Sequence, residues 1–113
     1  MTTFLYTTYS NSVEITDWYT LTTLLDRFEF AVEPTVDETD ETLSFVAVDH
    51  MQSFGVSDPG SDSKVDTRVF LKQLSDILVD RLEITCVEVQ GYGQPAVFKW
   101  IVNPHGSVSI NKL

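Results

Sequence analysis

Residues 65–102, VDTRVFLKQLSDILVDRLEITCVEVQGYGQPAVFKWIV, decide the class of the fold because they combine a helix with a pair of strands. Apolar residues recur at helical spacing in the first part, at Phe70, Leu74, Ile77, Leu78 and Leu82. EITCVEV and AVFKWIV have the composition of strands, and the glycines and proline of QGYGQP predict a hairpin loop between them. This order indicates a helix that packs against an antiparallel sheet.

Two helix starts are visible in the sequence. Ser63, with Asp66 three residues later, resembles a capping box in front of the helix in residues 65–82. An earlier helix is predicted in TDWYTLTTLLDRF, where Thr16 or Asp17 can act as the cap. Its apolar positions are Trp18, Leu21, Leu25 and Phe28.

Strand patterns fill most of the remaining chain. They occur near residues 4–9 and 28–32, and the final SVSI predicts a short strand that can lie at a sheet edge. Residues 42–50, TLSFVAVDH, are largely apolar on both faces, which predicts a central strand covered on both sides for at least part of its length. We therefore predict a single α+β domain spanning 1–113, a two-layer sandwich of a mostly antiparallel sheet with both helices on one face. The order of elements is also compatible with a ferredoxin-like arrangement carrying extra C-terminal strands.

The length and the cysteine content are those of an ordinary globular domain. A chain of 113 residues can bury a core without disulfides, and its single cysteine, Cys86, lies in an apolar run that predicts a small buried side chain, with a reactive thiol as the alternative. The first residues lack the basic and apolar segments of a signal peptide, and no run is long enough to span a bilayer. We expect a soluble cytoplasmic protein of a prokaryotic cell or virus host, not a secreted one.

The net charge of −10 restricts the possible partners. Anionic lipid headgroups repel such a protein, and direct binding to nucleic acid requires more than the seven lysines and arginines present. The acidic residues concentrate in residues 31–66, which contain nine carboxylates and only one base, Lys64. A basic surface on a protein partner therefore fits the charge best.

The stretch EPTVDETDE, residues 33–41, is the densest part of this acidic region and the predicted partner-binding segment. It carries five carboxylates and no base: Glu33, Asp37, Glu38, Asp40 and Glu41. Tyr92, at the tip of the QGYGQP loop, is a further candidate contact because exposed aromatic side chains anchor interfaces. The simpler interpretations are a polar loop between two strands and an ordinary loop tyrosine.

The sequence gives little support for catalysis or for metal binding. His50 follows Asp49 and His105 lies in a turn, but neighbouring strand residues point to opposite faces and no catalytic motif surrounds either histidine. Asp58, Asp62 and Asp66 do not match a calcium loop, and no set of zinc ligands or phosphate-binding loop is present. We predict no cofactor, no metal and no catalytic residue.

Three functional interpretations remain open from the sequence. The first is a small acidic binding protein, such as an inhibitor from a phage or mobile element that mimics nucleic acid, as anti-CRISPR proteins can; the similarity is one of class only. The second is a halophilic or viral structural component whose acidity is an adaptation to salt. The third is a small enzyme with a site around His50 or His105. A homodimer is considered as well, because an antiparallel sheet has free edges.

Overall fold

The structure is a computed structural model that describes residues 5–59, 67–89 and 95–113, and these form two helices and nine strands. The helices are α1 (Trp18–Arg27) and α2 (Thr67–Ser75). The strands are β1 (Leu5–Ser10), β2 (Val13–Glu14), β3 (Glu29–Phe30), β4 (Pro34–Asp37), β5 (Thr42–His50), β6 (Val56–Ser57), β7 (Leu82–Val89), β8 (Ala96–Val102) and β9 (Val108–Lys112). Ser63, Asp66 and residues 90–94 of the QGYGQP loop lie outside the described residues.

Seven of the described strands form one sheet, and all of its pairings are antiparallel. The strands β4, β5, β1, β7, β8 and β9 follow one another across the sheet in that order. Strand β2 continues the line of β1 and pairs with the start of β5. Strands β3 and β6 form a separate two-stranded sheet. The predicted α+β class with a mostly antiparallel sheet is confirmed.

The two helices connect strands that are not direct neighbours in the sheet. Helix α1 lies between β1 and β4 in the chain, and β5 separates these two strands in space. Helix α2 lies between β5 and β7, which β1 separates. This is the strand order of a split βαβ arrangement, to which β8 and β9 are added at the β7 edge.

One face of the sheet packs against the helices, and we call it the inner face. Its fully buried residues include Phe45 of β5, Ile84 of β7 and Val102 of β8. They share one hydrophobic core with Leu21 of α1 and with Phe70 of α2. Alternate residues of each strand reach this face because successive side chains of a strand point to opposite sides. The result is the predicted two-layer sandwich.

The start of helix α1 agrees with the sequence prediction. Asp17 has an extended backbone and is the N-cap, and its carboxylate accepts hydrogen bonds from the backbone N–H of Thr20 at 3.1 Å and from its hydroxyl at 2.6 Å. These bonds satisfy a helix N–H that would otherwise have no partner. These hydrogen bonds lower the pKa of the Asp17 carboxyl below its usual value of 3.8. The bond from the Thr20 hydroxyl has the larger effect, and the bond from the Thr20 N–H comes next.

We expect the cap to make stability depend on pH at the acidic end of the scale. Because the pKa of Asp17 is lower in the folded state, its contribution is complete above pH 3.8 and is lost as the pH falls through the folded value. Asp17→Asn keeps a capping side chain but cannot titrate. The melting temperatures of both proteins should be compared from about pH 6 to pH 2. The advantage of the native protein over the variant should shrink as the pH falls, and a constant difference would contradict this role.

Helix α2 is shorter than the apolar pattern predicts. The helix ends at Ser75, whose hydroxyl donates to the carbonyl of Lys72 at 2.6 Å and competes with the helical backbone pattern. Ile77 and Leu78 are buried outside the helix, and Leu78 forms a bridge with Ile15 of the segment after β2. Leu82, predicted as helical, is the first residue of β7. Among the described residues, no helix is long and apolar enough to cross a bilayer.

Strand β5, predicted to be covered on both sides for at least part of its length, is covered on one side only in its second half. Leu43 and Phe45 are fully buried on the inner face. Val46 and Val48, on the other face, are 54% and 67% exposed. The apolar run therefore gives β5 two hydrophobic faces, but the helices cover only one of them.

Candidate functional site

The acidic stretch is a strand and a tight turn, not the loop that its composition predicts. Residues Pro34–Asp37 form β4 and pair with β5, with Pro34 opposite Phe45 and Asp37 opposite Thr42. Proline is tolerated at the first residue of a strand at the sheet edge, where its missing N–H breaks no ladder. The carboxylates that follow are therefore presented at the end of a hydrogen-bonded hairpin.

The turn of this hairpin is held by its own hydrogen bonds. The Asp37 carboxylate accepts from the backbone N–H of Thr39 at 2.9 Å and from that of Asp40 at 3.2 Å. Glu41 has a left-handed backbone with φ of 53°, and its carbonyl accepts from the N–H of Ile15 at 2.9 Å. The turn is thus fixed at its start, by Asp37, and at its end, by the chain that follows β2.

The fold brings carboxylates from two further segments to the same end of the sheet. Glu14 of β2 pairs with Thr42, which faces Asp37 on its other side. Two backbone hydrogen bonds join the segment after α2 to the chain around Glu14. Thr16 N–H donates to the Ile77 carbonyl at 2.8 Å, and Val79 N–H donates to the Glu14 carbonyl at 3.0 Å. We call the exposed carboxylates of these adjoining segments the acidic end: Glu14, Asp37, Glu38, Asp40, Glu41, Asp76 and Asp80.

The acidic end does not contain all of the predicted partner-binding residues. Glu33 precedes β4 and lies about 13 Å along the strand from Asp37 at strand spacing. It lines a different surface groove, together with Leu25 and Phe28 of the α1 region. Tyr92 lies outside the described residues. The structure therefore groups four of the five predicted carboxylates, and it adds three that sequence reasoning missed.

No salt bridge among the described residues compensates the charge of the acidic end. The described residues form salt bridges between Arg27 and Asp58, and from Arg81 and Lys99 to Glu83, and none of these involves a carboxylate of the acidic end. Seven exposed carboxylates that form no ion pair with any described residue create a negative potential over the end of the hairpin.

A β-bulge gives His50 a different orientation from the one that simple alternation predicts. Tyr6 pairs with His50, and Thr8 pairs with Ala47. Between these two pairs β5 has two residues and β1 has only one, which is a β-bulge. Asp49, one of these two, has a left-handed φ of 52°. The extra residue turns His50 onto the inner face, beside Tyr6, with ring centroids 6.1 Å apart.

On the inner face, His50 joins a small polar cluster. The Thr8 hydroxyl lies 3.2 Å from His50 Nε2 and donates to the Cys86 sulfur at 3.5 Å. The Ser53 hydroxyl lies 3.7 Å from the same sulfur. Cys86 and Thr8 are buried, as predicted for the cysteine, and His50 Nδ1 is buried with no hydrogen-bond partner among the described residues. The cluster is a packed element of the core, since its thiol does not reach the surface.

The remaining described candidates for catalysis or metal binding are His105 and Asp58, and each makes a contact within the fold. His105 is an exposed turn residue with φ of 49°, and its N–H donates to the Ser75 carbonyl at 2.8 Å. Asp58 forms an ion pair with Arg27 at 2.9 Å, and the other two aspartates of that loop lie outside the described residues. Within residues 5–59, 67–89 and 95–113, no group of three His, Cys, Asp or Glu side chains is placed to hold a metal ion.

A groove of about 620 Å³ between α2 and the start of β9 is lined by two cations. The Arg68 guanidinium donates to the Val108 carbonyl at 2.7 Å and lies over the Trp100 ring at 5.7 Å. Lys72 Nζ donates to the Gly106 carbonyl at 2.9 Å. Both cations therefore tie the turn between β8 and β9 to the helix.

The second notable surface is the side of the sheet that faces away from the helices, which we call the open face. Its apolar side chains include Tyr9, Val46, Val48, Val87, Val89 and Val97. None of them belongs to the hydrophobic core or packs against it. Sequence reasoning missed this surface. The available signal was that β1, β5, β7 and β8 are apolar on both faces, whereas two short helices can cover only one.

Comparison with known proteins identifies no relative of this chain. No protein-family model, no curated protein and no solved structure matches it.

Proposed function

We propose that this protein is a non-catalytic binding protein that engages a basic surface of a protein partner through the acidic end. The supporting observation is the convergence of exposed carboxylates from three separate segments: the β4–β5 hairpin, β2 and the chain after α2. A salt-adapted surface needs only a general excess of acids. A convergence at one end concentrates the field where a partner can approach.

The physical effect of such a cluster is on encounter and on choice of partner. Charges of one sign raise the association rate with an oppositely charged surface, and they repel acidic competitors. The hydrogen bonds of Asp37 and Glu41 fix the hairpin backbone before binding. A preorganised turn loses less conformational freedom on binding, which favours affinity.

A narrower form of the proposal is an inhibitor that occupies the phosphate-binding surface of a nucleic-acid-binding protein. Such surfaces present lysines and arginines spaced for phosphates, and carboxylates can neutralise them in the same way. A phage or mobile-element protein acting in the cytoplasm of a prokaryotic host would fit this role. In that case nucleic acid should compete with this protein for the partner.

We expect two charge variants of equal net charge to behave differently. The test variant, called the turn variant, carries Glu38→Gln, Asp40→Asn and Glu41→Gln. The control variant neutralises three exposed acids elsewhere with Asp26→Asn, Glu29→Gln and Glu33→Gln. Each protein is immobilised and exposed to lysate of the native host at about 50 mM salt, and bound proteins are eluted at about 500 mM salt and identified by mass spectrometry. Basic proteins should be retained by the native and control proteins and be strongly depleted with the turn variant.

Two results would contradict the proposal. Equal retention by all three proteins would exclude a role for the acidic end. Equal loss with both variants would show that only net charge matters, as expected if the acidity is an adaptation to salt. In that case the free energy of unfolding should also rise steadily with salt concentration.

A further inference from the structure

The open face is an apolar surface that no described helix covers. Its apolar side chains lie side by side on paired strands, with Val46 beside Tyr9 and Val87 beside Val97. The row that contains Tyr9 continues through the buried Thr85 to Lys99. Val46 and Val48 are more than half exposed. Contiguous exposed apolar surface of this kind marks interaction sites in proteins that are stable in water.

The size of the open face is suited to a protein interface. Strands β5, β1, β7, β8 and β9 lie side by side, and at about 4.8 Å a strand they span about 24 Å. Strands of about seven residues are about 23 Å long, so the flat area of this face is roughly 550 Å². The side chains that project from the sheet add further accessible area. A stable interface buries about 800 Å² of accessible surface on each partner. The two areas are comparable, because accessible area exceeds the flat area of a sheet.

The charge of the central part of the open face permits a second copy of this chain as the occupant. Where β1, β7, β8 and β9 contribute to this face, the charged side chains are Glu83 and Lys99, which lie 3.5 Å apart and cancel each other. The chain as a whole carries −10, so most other surfaces of two copies repel each other. Glu14 and Asp37 pair with Thr42 and lie toward one end of the same face. The neutral part of the open face is therefore the region around Tyr9 and Lys99, through which two identical acidic molecules can approach when salt screens the carboxylates.

We infer that the open face is the interface of a homodimer, in which a second copy of this chain packs its own open face against it. Two sheets that pack face to face lie about 10 Å apart with their strands roughly 30° from parallel. A two-fold axis places the same patch on both sides, so Val46 and Tyr9 of each copy contribute to one apolar centre. Glu83 and Lys99 can then pair within a copy or with their counterparts in the partner copy. This inference does not rest on the proposed function. Glu14 and Asp37 of the acidic end pair with Thr42, which lies on the same face as Val46 but four residues away along β5, and the salt dependence of binding separates the two surfaces.

The test compares two valine-to-lysine variants of similar exposure. Val46→Lys places a charge in the open face, and Val79→Lys places the same charge at a valine that is 46% exposed after α2. Sedimentation equilibrium is recorded for each protein from about 1 µM to about 1 mM. The native protein and Val79→Lys should form dimers, and Val46→Lys should weaken dimerisation by at least about tenfold.

Further measurements separate the possible outcomes. Val48→Lys, at the more exposed position, repeats the test if circular dichroism shows that Val46→Lys is unfolded. Dimerisation through an apolar face should persist or strengthen as salt rises, whereas binding through the acidic end should weaken. The turn variant, which neutralises three carboxylates of the acidic end, should remain dimeric. A native protein that is monomeric at every concentration, or equal dimerisation of the two lysine variants, would overturn the inference.

Discussion

Replacing Phe70 with alanine is expected to destabilise the protein by about 3–5 kcal/mol. Phe70 is fully buried in α2, and its ring meets Phe28 edge to face at 5.3 Å and Phe30 at 5.1 Å. The substitution removes the apolar surface of one ring and leaves a cavity bordered by two others. Because α1 and β3 contact α2 through these rings, the loss affects the whole layer above the sheet.

The measurement is urea unfolding followed by far-UV circular dichroism. The control is Tyr19→Ala, which truncates a highly exposed aromatic side chain of α1 and should change the free energy of unfolding by less than about 0.5 kcal/mol. A domain of this size is stable by about 5–15 kcal/mol, so the Phe70→Ala variant should be close to its unfolding threshold. A loss below about 1 kcal/mol would mean that Phe70 is not part of a tightly packed core.

Replacing Thr8 with valine is expected to destabilise the protein by about 1–3 kcal/mol although the side chain keeps its shape. The Thr8 hydroxyl is the described hydrogen-bond partner of His50 Nε2, and His50 Nδ1 is already buried without one among the described residues. The variant therefore leaves both ring nitrogens of the histidine unsatisfied. The neighbouring Thr7→Val is the matched control, since Thr7 lies on the open face and should change stability by less than about 0.5 kcal/mol.

A double-mutant cycle tests the cause of this loss. Adding His50→Leu to Thr8→Val removes the group that lost its partner, so the double variant should be less destabilised than the sum of the single variants. A coupling energy of about 0.5–3 kcal/mol is expected from groups in direct contact. Additive losses would show that the hydrogen bond between Thr8 and His50 does not contribute to stability.

The elements that could be predicted from sequence are those set by local patterns. The Asp17 cap, the hairpin of β7 and β8 and the antiparallel sheet each follow from a few neighbouring residues. The end of α2 could not be predicted in this way. Ile77, Leu78 and Leu82 continue the helical spacing, but they are buried by contacts with distant segments such as Ile15. Periodicity alone does not distinguish these two causes of burial.

The candidate surfaces depend even more on contacts between distant segments. The hairpin carboxylates are adjacent in sequence, and their grouping could be predicted. Glu14 and Asp80 join them only because backbone hydrogen bonds connect the chain around Glu14 to the segment after α2. The bulge at Asp49 is likewise invisible in a run of strand-forming residues, although it decides which face His50 occupies.

The position of the acidic hairpin has a consequence for aggregation. Strand β4 lies at the end of the described sheet, where an unprotected strand could template the stacking of further chains into fibrils. Pro34 lacks one backbone donor, and Asp37 and its neighbours place like charges where incoming copies would stack. The same carboxylates can therefore serve as a guard against ordered self-assembly. Their neutralisation would expose the protein to amyloid-like growth during storage or overexpression, whatever partner they bind.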